Sequence, residues 1–166
     1  VIIPTNLSET YLANGQLDLA LSTYEIAAKI NPEFPTSLWN YVRAQSDYDD
    51  SIEKLKNAIK NSPNTPMLRR FLFWVYMKNG EVKLAKDQMI YALDHFHDKM
   101  TVGFAEMYAS LGKNDEAIRW IKKAIHLKEI PVVFSTLAYY FPNAFKEDSR
   151  FVELMKSINH PLYIDK

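Results

Sequence analysis

The chain has 166 residues, 48% of them hydrophobic, and its 20 basic and 20 acidic residues balance to a formal net charge of zero. This length can bury roughly 70% of the unfolded surface, while the balanced charge lacks the positive excess of a general nucleic-acid binder, so we expect no direct nucleic-acid binding. The absence of cysteine excludes disulfides and Cys-ligated zinc. The strongest apolar runs, 71–77 and 132–141, fall short of the ~18 residues of a membrane-spanning helix, so we expect no membrane insertion.

Pairs of small residues seven positions apart recur along the chain with a period in the low thirties. The pairs are Ala20/Ala27, Ser51/Ala58, Ala85/Ala92 and Ala117/Ala124. Self-similarity at this period is typical of a helical solenoid, in which each repeat is one supersecondary unit stacked on its neighbours. We therefore expect a protein that offers a surface to a partner.

The predicted elements follow in chain order as pairs of helices. In the first repeat (1–34), apolar residues three and four apart predict two helices. Asn14 and Gly15 lie between them, because the reversal needs a residue with positive φ. In the second repeat (35–65), residues 47–49 replace the glycine turn and predict a capped helix start.

The third repeat (66–98) and the fourth repeat (99–131) return to the pattern of the first, with a glycine in each turn. The segment 132–160 then predicts one more first helix and an amphipathic helix that begins at Asp148. Since the end of a solenoid exposes an apolar face, we interpret this last helix as a cap. All of residues 1–166 are expected to form a single domain.

Two segments, YLANGQLDLALSTYEIAAKINP and MYASLGKNDEAIRWIKKAIHL, resemble the tetratricopeptide repeat in the order and spacing of aromatic, turn glycine, small residue and alanine. The resemblance covers essentially the whole chain, although the second repeat and the tail depart from it. It implies an all-α, right-handed superhelix of helix-turn-helix repeats with a carboxy-terminal capping helix. It also implies a scaffold that binds protein or peptide, without catalysis.

The tail EDSRFVELMKSINHP is similar to the Asp-x-Arg-Phe-x-x-Leu segment that closes such arrays in bacterial regulators with winged-helix or nucleotide cyclase domains. Together with a start at Val1, this resemblance predicts a fragment of a longer bacterial transcriptional regulator or cyclase. The module would then act in the cytoplasm, or in the periplasm if the regulator is membrane-anchored. Alternatively, the segment only supplies the apolar stripe that any capping helix needs, and indicates no particular parent protein.

In the family that the chain resembles, the first helix of each pair lines an inner groove. Carried over to this sequence, the groove positions include Glu9, Trp39, Arg43, Arg70, Trp74, Met77, Glu106 and Tyr140. Tryptophan supplies a large contact area and arginine forms charge-assisted hydrogen bonds to carboxylates. Trp39, Arg43, Arg70 and Trp74 are therefore the predicted centre of peptide binding. The alternative is that both tryptophans pack between repeats and both arginines are solvated.

One specialised groove is excluded, because the clamp for chaperone carboxylate tails needs lysine and asparagine where this chain has Thr5 and Glu9. Its later lysine and arginine are replaced by Met67 and Phe71. Chaperone tails are therefore not expected partners.

Two other functions remain open. A small molecule could bind among Trp74, Tyr108 and Tyr140, or the array could form a homodimer through its groove or an uncapped end. An enzyme is not expected, because no nucleophile is paired with a base. His95 and His97 are the strongest metal-type pair, but residues two apart point to different sides of a helix, and we predict no metal and no cofactor.

Overall fold

The computed structural model describes residues 1–32, 34–129, 141–161 and 163. These residues form ten helices and no strand. The helices are α1 (Ile2–Ala13), α2 (Leu17–Ile30), α3 (Pro35–Ala44), α4 (Asp49–Asn61), α5 (Pro66–Lys78), α6 (Val82–Phe96), α7 (Thr101–Ser110), α8 (Asn114–His126), α9 (Asn143–Lys146) and α10 (Ser149–Ser157). The predicted all-helical fold is confirmed, and each pair from α1 to α8 falls within one predicted repeat.

The turns inside three of the four pairs have the predicted backbone. Gly15, Gly80 and Gly112 have φ of +71°, +78° and +71°, a region that residues with a side chain rarely adopt. In the second pair, which lacks the glycine, the Asp49 N–H donates to Asp47 Oδ1 at 3.1 Å. Tyr48, the N-cap residue of α4, makes no side-chain capping hydrogen bond. The bond from Asp49 to Asp47 supports the start of the helix instead.

The small residues that define the period are all buried. Ser8 shows how closely the two helices of a pair approach, because its Oγ donates to the Ala20 carbonyl oxygen at 2.9 Å. A large residue lies between the two small ones in each repeat, and all four are buried. They are Tyr24, Leu55, Met89 and Ile121. The small-residue spacing thus marks where one helix backbone packs on the other.

The chain divides into two compact units, of which the amino-terminal unit is Val1–Ala92. In this unit the first helices α1, α3 and α5 pack side by side, α2 also packs on α3, and α4 on α5. Asn40 joins two repeats, since its Nδ2 donates to the Thr5 carbonyl oxygen at 2.8 Å in a buried position.

The carboxy-terminal unit is Leu93–Lys166, in which α7 packs on α8 and α10 also contacts α8. Its core includes an aromatic cluster in which Phe145 lies 5.3 Å from Phe141 and 5.0 Å from Phe151, measured between ring centroids.

The capping helix lies where the sequence predicts it. Asp148 is its N-cap, and Asn159 adopts a left-handed φ of +54° just after it ends. The additional first helix predicted within 132–140 lies outside the described residues.

Candidate row of partner-binding residues

Four predicted groove residues of the amino-terminal unit form two contacting pairs across three first helices. Arg43 Nη1 on α3 lies 3.6 Å from Glu9 Oε1 on α1. Trp39 on α3 lies edge-on to Trp74 on α5, with ring centroids 5.0 Å apart and an interplanar angle of 80°. Four of the predicted residues are therefore brought together, and we call the set Glu9, Trp39, Arg43, Arg70, Trp74 and Met77 the binding row.

The two tryptophans have different environments. Trp39 is only 5% exposed and stacks on Phe71, with centroids 4.5 Å apart and planes 13° from parallel. Trp74 is half-buried. Trp39 therefore packs between repeats and leaves little surface for a partner, whereas Trp74 keeps part of its ring accessible.

Two further residues surround Trp74 that the sequence did not single out. Lys78 Nζ lies 5.3 Å from the Trp74 ring centroid, and Tyr48 lies edge-on at 6.1 Å. The spacing of four between Trp74 and Lys78 on one helix was a readable signal. Tyr48 comes from the start of α4, so only the fold shows its position.

The helices α3 and α5 have a local excess of basic residues. They carry four basic residues and no acidic residue, although the whole chain is neutral. Arg43, Arg70 and Met77 are half-buried. Arg69 is engaged elsewhere, since its Nη1 donates to Gln88 Oε1 at 2.9 Å and its guanidinium lies 4.0 Å from the Tyr91 ring centroid.

Glu106 and Tyr140 are not counted in the binding row. Glu106 lies on α7 in the carboxy-terminal unit and is 3% exposed. Tyr140 lies outside the described residues. Both remain sequence predictions.

A polar cluster beside the row ties α3 to α4. The Tyr41 hydroxyl donates to Asp50 Oδ2, and Lys54 Nζ donates to Asp50 Oδ1 at 3.1 Å. Burial, and then this bond to Asp50, raises the pKa of Tyr41, while the Tyr41 hydroxyl lowers the pKa of Asp50. These hydrogen bonds engage the polar groups of Tyr41, Asp50 and Lys54 and hold α3 against α4.

An open pocket of about 310 Å³ lies in the carboxy-terminal unit, and its lining bears on the small-molecule alternative. It is lined by Tyr108, Glu116, Arg119, Trp120 and Lys123. The Trp120 ring packs 4.8 Å from Phe104 and 4.8 Å from Lys123 Nζ, measured from ring centroids. Tyr108 is thus grouped with Trp120, a residue that the sequence did not assign to this site.

The histidine pair does not assemble ligands for a metal. His95 lies on α6, and His97, beyond the end of that helix, places Nε2 2.8 Å from Asp98 Oδ2. Across the described part of the chain, no group of three histidine or acidic residues is placed to hold a metal ion, and no helix is long and apolar enough to cross a membrane.

The patterned residues of the tail segment make contacts within the carboxy-terminal unit. Asp148 Oδ1 accepts from the Arg150 N–H at 3.0 Å, and Arg150 donates to Asp148 Oδ2 at 2.7 Å and to Asp115 Oδ1 on α8 at 2.6 Å. The Arg150 guanidinium holds the pKa of Asp148 at about 2. Phe151 is fully buried and Leu154 packs on the same core. These contacts explain the Asp-x-Arg-Phe-x-x-Leu pattern as a cap that fastens α10 to α8.

Comparison with known proteins agrees with this architecture. A thermophilic tetratricopeptide-repeat protein from Thermus thermophilus has a similar solved structure, with a TM-score of 0.60, 22% identity, and coverage of 95% of this chain and 82% of that one. This likeness concerns the fold. No curated protein matches the sequence. The family profile described as tetratricopeptide repeat matches residues 15–140, and the chain belongs to this family.

Proposed function

We propose that this chain is a protein-binding module whose binding row takes an extended peptide segment that carries acidic residues and an apolar anchor. Tetratricopeptide repeats generally mediate protein–protein interaction or scaffolding, without catalysis of their own. The observation that carries the proposal is the alignment of Glu9, Arg43 and Trp74 on adjacent first helices, joined by the Glu9–Arg43 ion pair and the Trp39–Trp74 contact.

Each residue of the row has a distinct part in this proposal. Trp74 offers an aromatic surface to an apolar side chain, and Met77 extends that surface. Arg43 and Arg70 attract carboxylates, and Glu9 orients Arg43. Trp39 supports the Trp74 ring through their edge-on contact. The surplus of basic residues on α3 and α5 favours an acidic segment over a basic one.

A displayed library of random peptides tests the proposal without a known partner. The parent chain is expected to enrich peptides that contain Asp or Glu near an aromatic or aliphatic residue. Arg70→Glu should lose these peptides, whereas Arg119→Glu, the same charge reversal at an exposed position of α8, should retain them. Enrichment of the same peptides by Arg70→Glu and the parent would refute the assignment of the row.

The proposal also concerns the protein in which the module acts. The tail resemblance supports a regulatory module of a bacterial regulator, in the cytoplasm or, in an anchored member, in the periplasm. Because Asp148, Arg150 and Phe151 already have structural roles, this part of the proposal rests on the resemblance of the sequence alone. Mass spectrometry of the proteins captured by the parent chain, but not by folded Arg70→Glu/Trp74→Ala, would identify the pathway.

A further inference from the structure

Two of the four glycines follow an asparagine, and both of these Asn-Gly pairs lie in a turn between the two helices of a repeat. Asn14 and Gly15 lie between α1 and α2, and Asn79 and Gly80 lie between α5 and α6. Asparagine is a chemically labile residue. It is most open to deamidation before glycine, because glycine has no side chain to hinder its backbone nitrogen. Both turns are therefore candidate sites of spontaneous modification.

Deamidation at such a pair needs only the chain itself and water. The glycine nitrogen forms a bond to Cγ of the asparagine, and the Cγ–Nδ2 bond breaks. The side-chain nitrogen leaves as ammonia, with the proton of the glycine N–H. Water then opens the cyclic imide and leaves aspartate or isoaspartate, so a neutral side chain becomes a carboxylate. Neither step oxidises or reduces any atom.

The two turns have nearly the same backbone, and this backbone opposes the reaction. Asn14 has φ of −91° and ψ of 3°, while Asn79 has φ of −80° and ψ of 0°. The glycine N–H of each turn donates to a carbonyl oxygen of the preceding helix, at 3.1 Å for Gly15 and 3.4 Å for Gly80. At these ψ values the glycine nitrogen is turned away from the asparagine Cγ. Each turn must therefore open locally before the imide can close.

The side chain of the second asparagine has a partner that the first one lacks. Asn79 Nδ2 donates to Glu81 Oε1 at 2.7 Å. The equivalent residue of the first turn is Gln16, and within the described part of the chain the Asn14 side chain makes no hydrogen bond. Both asparagines are exposed, so burial does not distinguish them. Opening of the turn at Asn79 must break a charge-assisted hydrogen bond in addition to the backbone bonds.

We propose that Asn14 is the residue that deamidates in the folded chain, and that the Glu81 carboxylate suppresses the same reaction at Asn79. The protection favours the proposed peptide site, because it keeps a new carboxylate away from Lys78 and from the carboxyl end of α5, where negative charge is unfavourable. The proposal itself rests on the two turns and does not depend on the peptide site.

Incubation of the folded chain at mildly alkaline pH, followed by mass spectrometry of proteolytic fragments, measures the loss of each asparagine separately. Asn14 should be lost about three to ten times faster than Asn79, the factor that a net hydrogen bond contributes to an opening equilibrium. In concentrated urea, where both turns are unfolded, the two rates should become similar. Equal rates in the folded chain, or an equally large difference in urea, would overturn the proposal.

Exchange of the residue two positions after each asparagine tests the role of the carboxylate directly. Glu81→Ala should raise the rate at Asn79 by about three- to tenfold and leave the rate at Asn14 unchanged. Gln16→Glu places a carboxylate at the equivalent position of the first turn and should slow the loss of Asn14 by a similar factor. Circular dichroism establishes that both variants keep their helices.

The second variant excludes a trivial explanation of the first. Loss of stability in Glu81→Ala could also speed the reaction at Asn79, but a destabilised turn cannot make Asn14 react more slowly in Gln16→Glu. An unchanged rate at Asn79 in Glu81→Ala, or at Asn14 in Gln16→Glu, would show that the carboxylate does not protect the asparagine.

Discussion

Trp39 and Trp74 meet edge to face across α3 and α5, but Trp39 is enclosed by the repeats while Trp74 remains partly exposed. Two residues of the same type, in direct contact, therefore serve different purposes. Trp39 stacks on Phe71 and holds neighbouring first helices together. In the proposed function, Trp74 offers its partly exposed ring to a partner.

Alanine substitution should separate these two roles. Trp39→Ala is expected to lower the free energy of unfolding by about 3 to 5 kcal/mol, as for other large buried aromatics. Trp74→Ala should lower the free energy of unfolding by about 1 to 2 kcal/mol. The half-buried Trp74 ring makes fewer contacts than Trp39, and the substitution removes those contacts together with the edge-on contact to Trp39. Chemical denaturation followed by circular dichroism measures both values. Equal losses would show that Trp74 is a core residue and remove it from the binding row.

Charge reversal in the row should change peptide binding more than stability. For an acidic peptide selected by the parent, Arg70→Glu is expected to weaken affinity at least tenfold, which corresponds to about 1.4 kcal/mol. Affinity for the parent should also fall as salt rises from about 0.05 to 0.5 M, because the attraction is screened. Fluorescence anisotropy of the labelled peptide measures both effects, with Arg119→Glu as the control. Salt-independent binding would contradict an electrostatic contribution.

The turn glycines predict a stability effect that comes from the backbone alone. Gly112 has φ of +71°, and a Cβ built there meets no atom beyond its chain neighbours within 4 Å. Gly112→Ala should therefore cost about 1 to 2 kcal/mol through the left-handed conformation, without any clash with the rest of the fold. Gly112→Asn should cost less, since asparagine tolerates this region better. Thermal unfolding of the two variants compares them, and an alanine variant as stable as the parent would contradict this account.

The sequence predicted the fold well because its signals are local. Gly15 and Gly112 occupy left-handed turns, and Asp148 begins the capping helix, as their neighbours in sequence indicate. The short helix Asn143–Lys146 could not be read, because one turn is too short to show a periodic pattern.

The site was less predictable because it depends on how one repeat lies on the next. Spacing placed Trp39 and Trp74 on first helices, but not the stacking of Phe71 that buries Trp39. Tyr48 reaches Trp74 from the start of α4, across a turn that departs from the glycine-containing pattern. No local sequence pattern around these residues predicts either contact.

The Asp148–Arg150 pair predicts how the capping helix responds to acid. Asp148→Ala should lower stability by about 1 kcal/mol at pH 7, because α10 loses its N-cap acceptor. Asp148→Asn keeps an acceptor oxygen but loses the charge that Arg150 contacts, so it isolates the electrostatic part. Chemical denaturation at a series of pH values measures this part as the stability difference between the parent and Asp148→Asn.

The direction of the pH effect follows from the pKa of Asp148, which falls from an ordinary 3.8 to about 2 in the folded chain because Arg150 donates hydrogen bonds to the carboxylate. A lowered pKa means that the folded state binds the proton more weakly than the unfolded state, so the stabilisation is complete above about pH 4. It should disappear as the pH falls through about 2. Glu153→Gln, a comparable change at an exposed position of α10, is the control for general acid effects. A difference between the parent and Asp148→Asn that stays constant down to about pH 2 would show that the Arg150 contact does not stabilise the cap in solution.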